Sequence, residues 1–287
     1  YRPPEIGEGL RLDDGVREGD EISMFYDPMI AKLISYGPDR AVATRRMAEA
    51  LDRFEIEGLR HNLTFLAALM RHPRFASFDF STGFIGSEWP KGFDGAKVGP
   101  EVEARVQAVA AFVHHAYAQR IYPAVLPHWV IAGKPAKVEG QKVVLGMRPH
   151  VLHSEWQLGQ PIWQGSVDGH PMAILIKKQG QGYCLRHAGH EWLVTLLTPR
   201  AAELAAKMPE KPKPDLSKFL LSPMPGLLLR VDVKAGDEVK AGQVLAVVEA
   251  MKMENVLRAS ADGVVAKVVA QAGTSLAVDA VIIEFAR

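Results

Sequence analysis

The sequence predicts an α+β protein of several domains: an α/β segment first, a helix with an antiparallel β-barrel next, and a two-fold flattened β-barrel last. Three observations support this prediction. The chain has 287 residues, more than a single hydrophobic core usually serves. A proline-rich stretch interrupts it shortly before residue 218. Beyond that stretch, the sequence repeats itself at a fixed offset, which indicates a domain of two similar halves.

Composition and charge exclude several classes of function. The net charge is +1, so no overall field attracts nucleic acid or a membrane surface, and we expect neither as a partner. No stretch approaches the roughly 18 unbroken apolar residues of a spanning helix. The one cysteine, Cys184, excludes an internal disulfide and fits a reducing compartment. Because Tyr1 opens the chain without a signal-peptide profile, we expect a piece from the middle of a longer protein.

Residues 1–95 are predicted to form the α/β segment. The composition of residues 21–26 and 29–36 is typical of strands. Asp39 and Asn62 are each followed by apolar residues at helical spacing, which predicts two helices that these side chains cap. The first helix carries Val42, Met47, Leu51 and Phe54, and the second carries Leu63, Leu66, Leu69 and Met70.

Residues 97–208 are predicted to form one helix followed by a barrel. Pro100 suits the first turn of the helix. Valines recur along it as a stripe that packs on the core or on a partner helix. Short β-like runs separated by glycine-containing turns follow, which is typical of an antiparallel barrel. The region has no convincing catalytic constellation, and its tryptophans fit the barrel core. The valine stripe consists of Val102, Val106, Val109 and Val113.

Two pairs of histidines in the same region have spacings that raise the question of function. His187-Ala-Gly-His190 has a spacing typical of metal ligands. No cysteine or acidic cluster completes such a site, so we expect no metal there. His114 and His115 lie late on the helix, and we expect them at the surface or at an interface rather than in catalysis.

Residues 209–217 are predicted to be a semi-rigid tether, and residues 218–287 a separately mobile domain. The tether contains three prolines, which favour an extended conformation. Beyond it, Gly226 to Gly236 aligns with Gly263 to Gly273 at an offset of 37 residues. Two copies of one β unit predict two similar half-sheets packed face to face.

A single lysine stands between the two copies. Lys252 lies within Ala250-Met-Lys-Met253, where a connection between paired halves predicts a hairpin tip. Lysine supplies a nucleophilic amine at the end of a flexible stem, and acylation removes its charge. Met251 and Met253 add polarizable apolar contacts for an attaching enzyme and for later active sites. This layout is typical of a prosthetic-group carrier.

The stretch Ala250-Met-Lys-Met253, together with Pro223-Met-Pro225 upstream, resembles the biotinyl domain of biotin-dependent carboxylases. The resemblance implies biotin attached covalently to Lys252 by a biotin protein ligase, with Ala250, Met251 and Met253 as the surrounding recognition residues. The related lipoyl domains normally carry Asp-Lys-Ala at this turn, and a lipoyl carrier is an alternative. Another alternative is a pure assembly module in which the lysine is incidental.

The first region carries a second resemblance. Arg11, followed by Asp27-Pro-Met-Ile-Ala-Lys-Leu33, resembles the C-terminal end of a biotin carboxylase domain. In that family the matching arginine is thought to stabilise the biotin enolate, and a guanidinium with rigid donors suits an oxyanion. The other interpretation of Arg11 is a solvated surface arginine. The family's ATP-grasp portion, which uses ATP, Mg²⁺ and bicarbonate, has no counterpart in these residues, so this segment alone is not expected to carboxylate anything.

The order of the regions resembles the α subunit of an acyl-CoA carboxylase, which is a ligase. The overall resemblance favours the propionyl-CoA enzymes, which form methylmalonyl-CoA, and the α subunit of 3-methylcrotonyl-CoA carboxylase is the alternative. It implies that Lys252 shuttles carboxybiotin from the carboxylase site to a carboxyltransferase β subunit, which the middle region holds and which acts on the acyl-CoA. It also implies an α6β6 hetero-oligomer, in the cytoplasm of a bacterium or the mitochondrial matrix of a eukaryote.

Overall fold

The computed structural model describes residues 1–22, 29–209, 218–250 and 253–286. Contacts divide the chain into two units, one made of Tyr1–Asp13 and Lys32–Pro209, the other of Asp14–Ala31 and Glu210–Arg287. Most of the predicted strand at 21–26 and of the predicted tether at 209–217 lies outside the described residues, so both stay predictions, as do the domain boundaries. No helix in the described part is long and apolar enough to cross a membrane.

The beginning of the first unit combines a two-stranded sheet with short helices. Asp39 caps α1, because its carboxylate accepts a hydrogen bond from the Val42 amide at 2.8 Å. Asn62 precedes α2 without a side-chain capping bond, so that part of the prediction is wrong. The elements are β1 Leu10–Asp14, β2 Ala31–Ser35, α1 Arg40–Asp52, α2 Leu63–Met70, α3 Pro73–Ala76 and α4 Phe84–Glu88.

The rest of the first unit is a long helix and a closed eight-stranded barrel, as predicted. Each strand pairs antiparallel with its neighbour in sequence, and the last pairs with the first through Leu196 opposite Ile131. The elements are α5 Pro100–Ile121, β3 His128–Ile131, β4 Lys134–Glu139, β5 Lys142–Leu145, β6 Arg148–His153, β7 Ile162–Val167, β8 His170–Gln179, β9 Gly182–His187, β10 His190–Leu197 and α6 Pro199–Ala205.

The barrel surrounds α5. Residues 106–111 of α5 are all buried, and six consecutive residues cover the full circumference of a helix with 3.6 residues per turn. The helix packs against β3, β4, β5, β6, β9 and β10. The buried surface of α5 is therefore wider than the predicted valine stripe, because alanines between the valines are buried as well. The inward strand residues that form the core with α5 include Ile131, Leu152, Trp163, Ile174 and Leu185.

The second unit contains two four-stranded sheets, with strand orders β11-β18-β16-β13 and β15-β14-β12-β17. A single hydrophobic core joins them, centred on side chains such as Leu228, Leu245 and Ile282. The strands are β11 Phe219–Leu221, β12 Gly226–Val231, β13 Glu238–Val239, β14 Val244–Ala250, β15 Met253–Arg258, β16 Gly263–Val268, β17 Ser275–Leu276 and β18 Val281–Ala286.

The sequence repeat is also a structural repeat. β12, β13 and β14 begin 37 residues before β16, β17 and β18 respectively. The irregularities repeat too, since the register shifts between Leu228 and Arg230 and again between Val265 and Lys267. Each sheet, however, contains strands from both copies. The prediction of two similar half-sheets packed on one core is confirmed, although a repeat in sequence does not say which strands pair.

Candidate functional site

The predicted carrier site lies between β14 and β15. β14 ends at Ala250 and β15 begins at Met253, and these two residues are cross-strand partners. Ala250 is buried, whereas Met253 is 63% exposed. Lys252 and Met251 lie outside the described residues, so their predicted placement stays a prediction. The structure therefore brings two of the four predicted site residues together at the end of one hairpin.

The Pro223-Met-Pro225 stretch leads into the strand that flanks this hairpin. β12 pairs with β14 through Leu227 opposite Glu249. A Cβ atom added at Gly226 would lie 2.5 Å from the Glu249 carbonyl oxygen, so only glycine allows this close approach. Two motifs that are well separated in sequence thus adjoin the same end of one sheet.

The hairpin carries a pair of glutamates for which the sequence predicted no role. Glu249 is the cross-strand partner of Glu254, one position from the Ala250–Met253 pair. Like charges directly opposite one another weaken a strand pair. The sequence could have predicted this pair. Glu249 and Glu254 lie on either side of Ala250-Met-Lys-Met253, and a two-residue connection between the strands places them opposite each other.

Arg11 lies on β1 in the first unit and faces solvent. Its side chain is 68% exposed and pairs with Asp13, with Nε 2.8 Å from Oδ1 and Nη2 2.9 Å from Oδ2. Residues two apart on a strand share a face, which explains the pair and would have predicted it. The hydrogen bonds from the guanidinium lower the pKa of the Asp13 carboxyl and raise the pKa of Arg11. Asp13 therefore stays ionised and holds the guanidinium plane in one orientation.

The two histidines of His187-Ala-Gly-His190 do not converge on a common point. His187 Nδ1 lies 2.9 Å from the Ala173 carbonyl oxygen and 3.1 Å from Asp52 Oδ2. His190 Nδ1 lies 2.8 Å from the Ala96 carbonyl oxygen. Within the described residues, no three His, Cys, Asp or Glu side chains are grouped as metal ligands.

His115 is buried and His114 is only partly exposed, so of the two predicted positions, at the surface or at an interface, the surface position is wrong. His115 is 7% exposed, and His114 Nδ1 lies 3.1 Å from the Tyr183 hydroxyl. The His114 ring also contacts the Trp129 ring at 4.3 Å between centroids. Burial lowers the pKa of His114 to about 4 and raises the pKa of Tyr183 to about 12, so both groups are neutral near pH 7. The cause is the barrel, which covers more than one face of α5.

Three family models match the chain. Residues 1–87 match the biotin carboxylase C-terminal domain. Residues 131–211 match the propionyl-coenzyme A carboxylase BT domain. Residues 218–285 match the model described as biotin-requiring enzyme. The three matches fall on the α/β segment of residues 1–95, which we call the carboxylase tail, on the barrel and on the two-fold β domain, in the predicted order.

Curated proteins match nearly the whole chain. The propionyl-CoA carboxylase alpha chain of Ruegeria pomeroyi is 46% identical over 98% of this chain and 44% of its own length. The mitochondrial propionyl-CoA carboxylase alpha chain of Mus musculus is 35% identical over 96% of this chain and 41% of its own length. The mitochondrial methylcrotonoyl-CoA carboxylase subunit alpha of Dictyostelium discoideum is 29% identical over 91% of this chain and 41% of its own length.

This chain spans less than half the length of these curated relatives. Within that span, the family models and the relatives agree with the resemblance drawn from Met-Lys-Met and from the Arg11 segment, which is confirmed. The match to the biotin-requiring model also agrees with the expectation of a biotin domain. The chain thus carries matches to the biotin carboxylase C-terminal, BT and biotin-requiring models and is similar to propionyl-CoA carboxylase alpha chains.

Proposed function

We propose that this chain is the biotin-carrying part of an acyl-CoA carboxylase α subunit, with biotin attached to Lys252 and propionyl-CoA as the substrate of the whole enzyme. The observation that carries the proposal is the cross-strand pair of Ala250 and Met253, which brackets Met251 and Lys252 in sequence. The match of residues 218–285 to a biotin-requiring model supports it. In the whole enzyme, the carrier would serve a carboxylase site and a carboxyltransferase β subunit in turn.

The residues around the proposed attachment point fit a covalently held group. Ala250 is small and buried, so the end of β14 carries no bulky side chain. Met253 is exposed, and its polarizable side chain suits contact with the group or with enzymes that act on it. Biotin, when bound, supplies the ring that carries a carboxyl group. The protein's part is to hold the group by an amide bond at the end of a paired strand and present it to each site.

The substrate proposal follows from the relatives. The alpha chain named for propionyl-CoA is 46% identical to this chain, whereas the subunit named for methylcrotonoyl-CoA is 29% identical. The 3-methylcrotonyl-CoA alternative therefore has the weaker support. An α6β6 assembly, and a bacterial cytoplasmic or mitochondrial matrix location, belong to the same proposal and rest on the family resemblance.

Lys252→Arg should abolish biotin attachment, because the guanidinium is not an acylable amine. The chain is co-expressed with a biotin protein ligase, and its intact mass and capture by streptavidin are measured. Lys267→Arg, which changes another exposed lysine of the same domain, is the matched control and should keep the biotin-sized mass addition. A lipoyl-sized addition would support the lipoyl alternative, and an unmodified wild-type chain would support an assembly module.

For Arg11 we propose the oxyanion-stabilising role of the carboxylase active site. The ion pair with Asp13 uses Nε and Nη2, so among the described residues the Nη1 group remains available to an anionic ligand. Its exposure in this chain fits a site completed by residues upstream, which would also bind ATP, Mg²⁺ and bicarbonate. A preorganised guanidinium in such a site stabilises developing negative charge more than a mobile one does.

Arg11→Gln in the full-length protein should lower the ATP-dependent carboxylation of free biotin by about 10²–10³-fold. Attachment of biotin to Lys252 should be unchanged, because the ligase acts on the other unit. Arg17→Gln, at another exposed arginine, is the control and should retain activity. Full activity of the Arg11→Gln protein would mean that Arg11 is a solvated surface arginine.

The barrel is the proposed site for the β subunit, and its exposed apolar residues indicate where. The end of α5 and the connection to β3 expose Ile121 at 68%, Tyr122 at 70% and Leu126 at 73%. Large apolar side chains grouped on a surface are typical of protein interfaces. Tyrosine in particular often contributes strongly to binding energy at the centre of an interface.

Replacing Tyr122 and Leu126 together by alanine should prevent the β subunit from co-purifying with the tagged full-length chain. Met147→Ala removes a side chain that is 98% exposed in the β5–β6 turn, and this control should leave co-purification intact. Thermal unfolding of both variants, which should match that of the wild type, serves as the folding control. Undiminished co-purification of the double variant would place the β subunit on another surface.

A further inference from the structure

The β9–β10 turn joins the barrel to the α1–α2 pair inside the first unit. Asp52, at the end of α1, is only 3% exposed, and a buried carboxylate must be paired to be tolerated. Its partners are Arg71 Nη2 at 2.7 Å, the Ala188 amide at 3.0 Å and His187 Nδ1 at 3.1 Å. Two of these three partners belong to the barrel. The buried charge is therefore satisfied only when the tail and the barrel are in contact.

The surroundings of His187 show which of its ring nitrogens donates to Asp52. Its Nδ1 atom faces the Asp52 carboxylate and the Ala173 carbonyl oxygen, both of which accept hydrogen bonds. Nδ1 therefore carries the hydrogen and donates. His187, one of the two histidines with the metal-like spacing, is therefore a hydrogen-bond donor to the Asp52 carboxylate of the carboxylase tail.

The backbone of the turn fits against α2 without room for a side chain. Gly189 has a φ of +77°, and a Cβ atom there would lie 2.5 Å from the Ala68 nitrogen and 2.6 Å from the Ala68 Cβ. On the other side, the Gly189 carbonyl oxygen accepts a hydrogen bond from the Ala96 amide at 2.8 Å. His190 Nδ1 contacts the Ala96 carbonyl oxygen at the same distance. The turn is thus held from two sides.

Further contacts surround this centre. The buried Arg186 side chain donates from Nη2 to the Phe54 carbonyl oxygen. Thr64 Oγ1 donates to Glu191 Oε1 at 3.1 Å, and exposed Lys177 pairs with Glu57 at 3.1 Å. A buried polar centre, close backbone packing and an exposed polar rim are the components of a specific protein interface. Here both sides of that interface belong to one chain.

We propose that residues 186–191, which we call the latch, lock the barrel to the carboxylase tail so that the two move as one body. The latch fixes the span between the carboxylation site and the β subunit held by the barrel. Because effective concentration depends on how well a tether matches a span, a constant span keeps the carrier's encounter with each site efficient. Asp52 is a positioning residue in this scheme. Its effect on the reaction rests on the proposed function, whereas the locking itself does not.

A matched pair of glycine variants isolates the latch. Gly189 and Gly169 both have φ +77°, and each follows a residue with positive φ, Ala188 at 52° and Asp168 at 53°. Alanine therefore costs the same backbone strain at either position. A Cβ at Gly169 meets nothing within 4 Å, whereas at Gly189 it meets Ala68. Any difference in behaviour between Gly189→Ala and Gly169→Ala therefore reports how the latch packs against α2.

Hydrogen exchange of the 287-residue chain tests the locking. In Gly189→Ala, exchange of the α2 amides should accelerate on the order of tenfold over Gly169→Ala, since exchange follows local opening. The amides of β4 and β5, on the far side of the barrel, should exchange alike in both variants. Equal exchange of α2 in the two variants would overturn the proposal, and so would acceleration throughout the barrel, because that would mean general damage.

Two activities of the full-length protein, assembled with its β subunit, test the consequence. Carboxylation of free biotin should be the same in both glycine variants, while acyl-CoA carboxylation should fall on the order of tenfold in Gly189→Ala alone. Asp52→Asn should likewise lower acyl-CoA carboxylation and leave the carboxylation of free biotin unchanged. It weakens the hydrogen bonds from Arg71, Ala188 and His187 without changing side-chain size. Equal loss of both activities, or of neither, would contradict the latch. A wild-type protein inactive on free biotin would contradict the proposed function, and the exchange experiment would still decide the locking.

Discussion

The complete burial of residues 106–111, in the middle of α5, is the constraint on which the first unit depends. Residues 106–111 contact barrel side chains on every face of the helix, so the strands must close around it, and no face of this segment is left for another domain. Anything that binds the barrel must use its outer surface, its turns or the ends of the helix. The two features we connect with function, the latch and the exposed connection after Ile121, are of these kinds.

The second unit depends on the pairing of strands from two sequence repeats. Two copies of one β unit exchange strands between two sheets, so neither copy has a core without the other. Such interleaving makes the domain a single small body whose stability rests on central residues like Leu245 and Ile282. The hairpin that ends at Ala250 and begins again at Met253 belongs to one of these sheets, and a carrier needs that kind of firm base for its attachment residue.

Much of this was predictable, and the failures have physical causes. The repeat, the barrel and the carrier motif leave signals in the order of residues, because strand alternation and turn glycines are local. β1 leaves almost no such signal in the sequence, since only Leu10 and Leu12 of its five residues are partly buried. His114 and His115 were expected at the surface or at an interface, because helical periodicity identifies one buried face of the helix and cannot show that a barrel covers the others. The latch depends on Asp52 meeting a turn more than a hundred residues away, which no local pattern reports.

We propose that a group on Lys252 carries a carboxyl group between two active sites. The most direct test of this proposal is to charge the full-length, biotinylated protein with labelled bicarbonate and ATP, remove the free label, and add the β subunit with one acyl-CoA. Our account predicts label on the peptide that contains Lys252, discharged by propionyl-CoA and far more slowly by 3-methylcrotonyl-CoA. Absence of label from that peptide, or label that no acyl-CoA discharges, would contradict it.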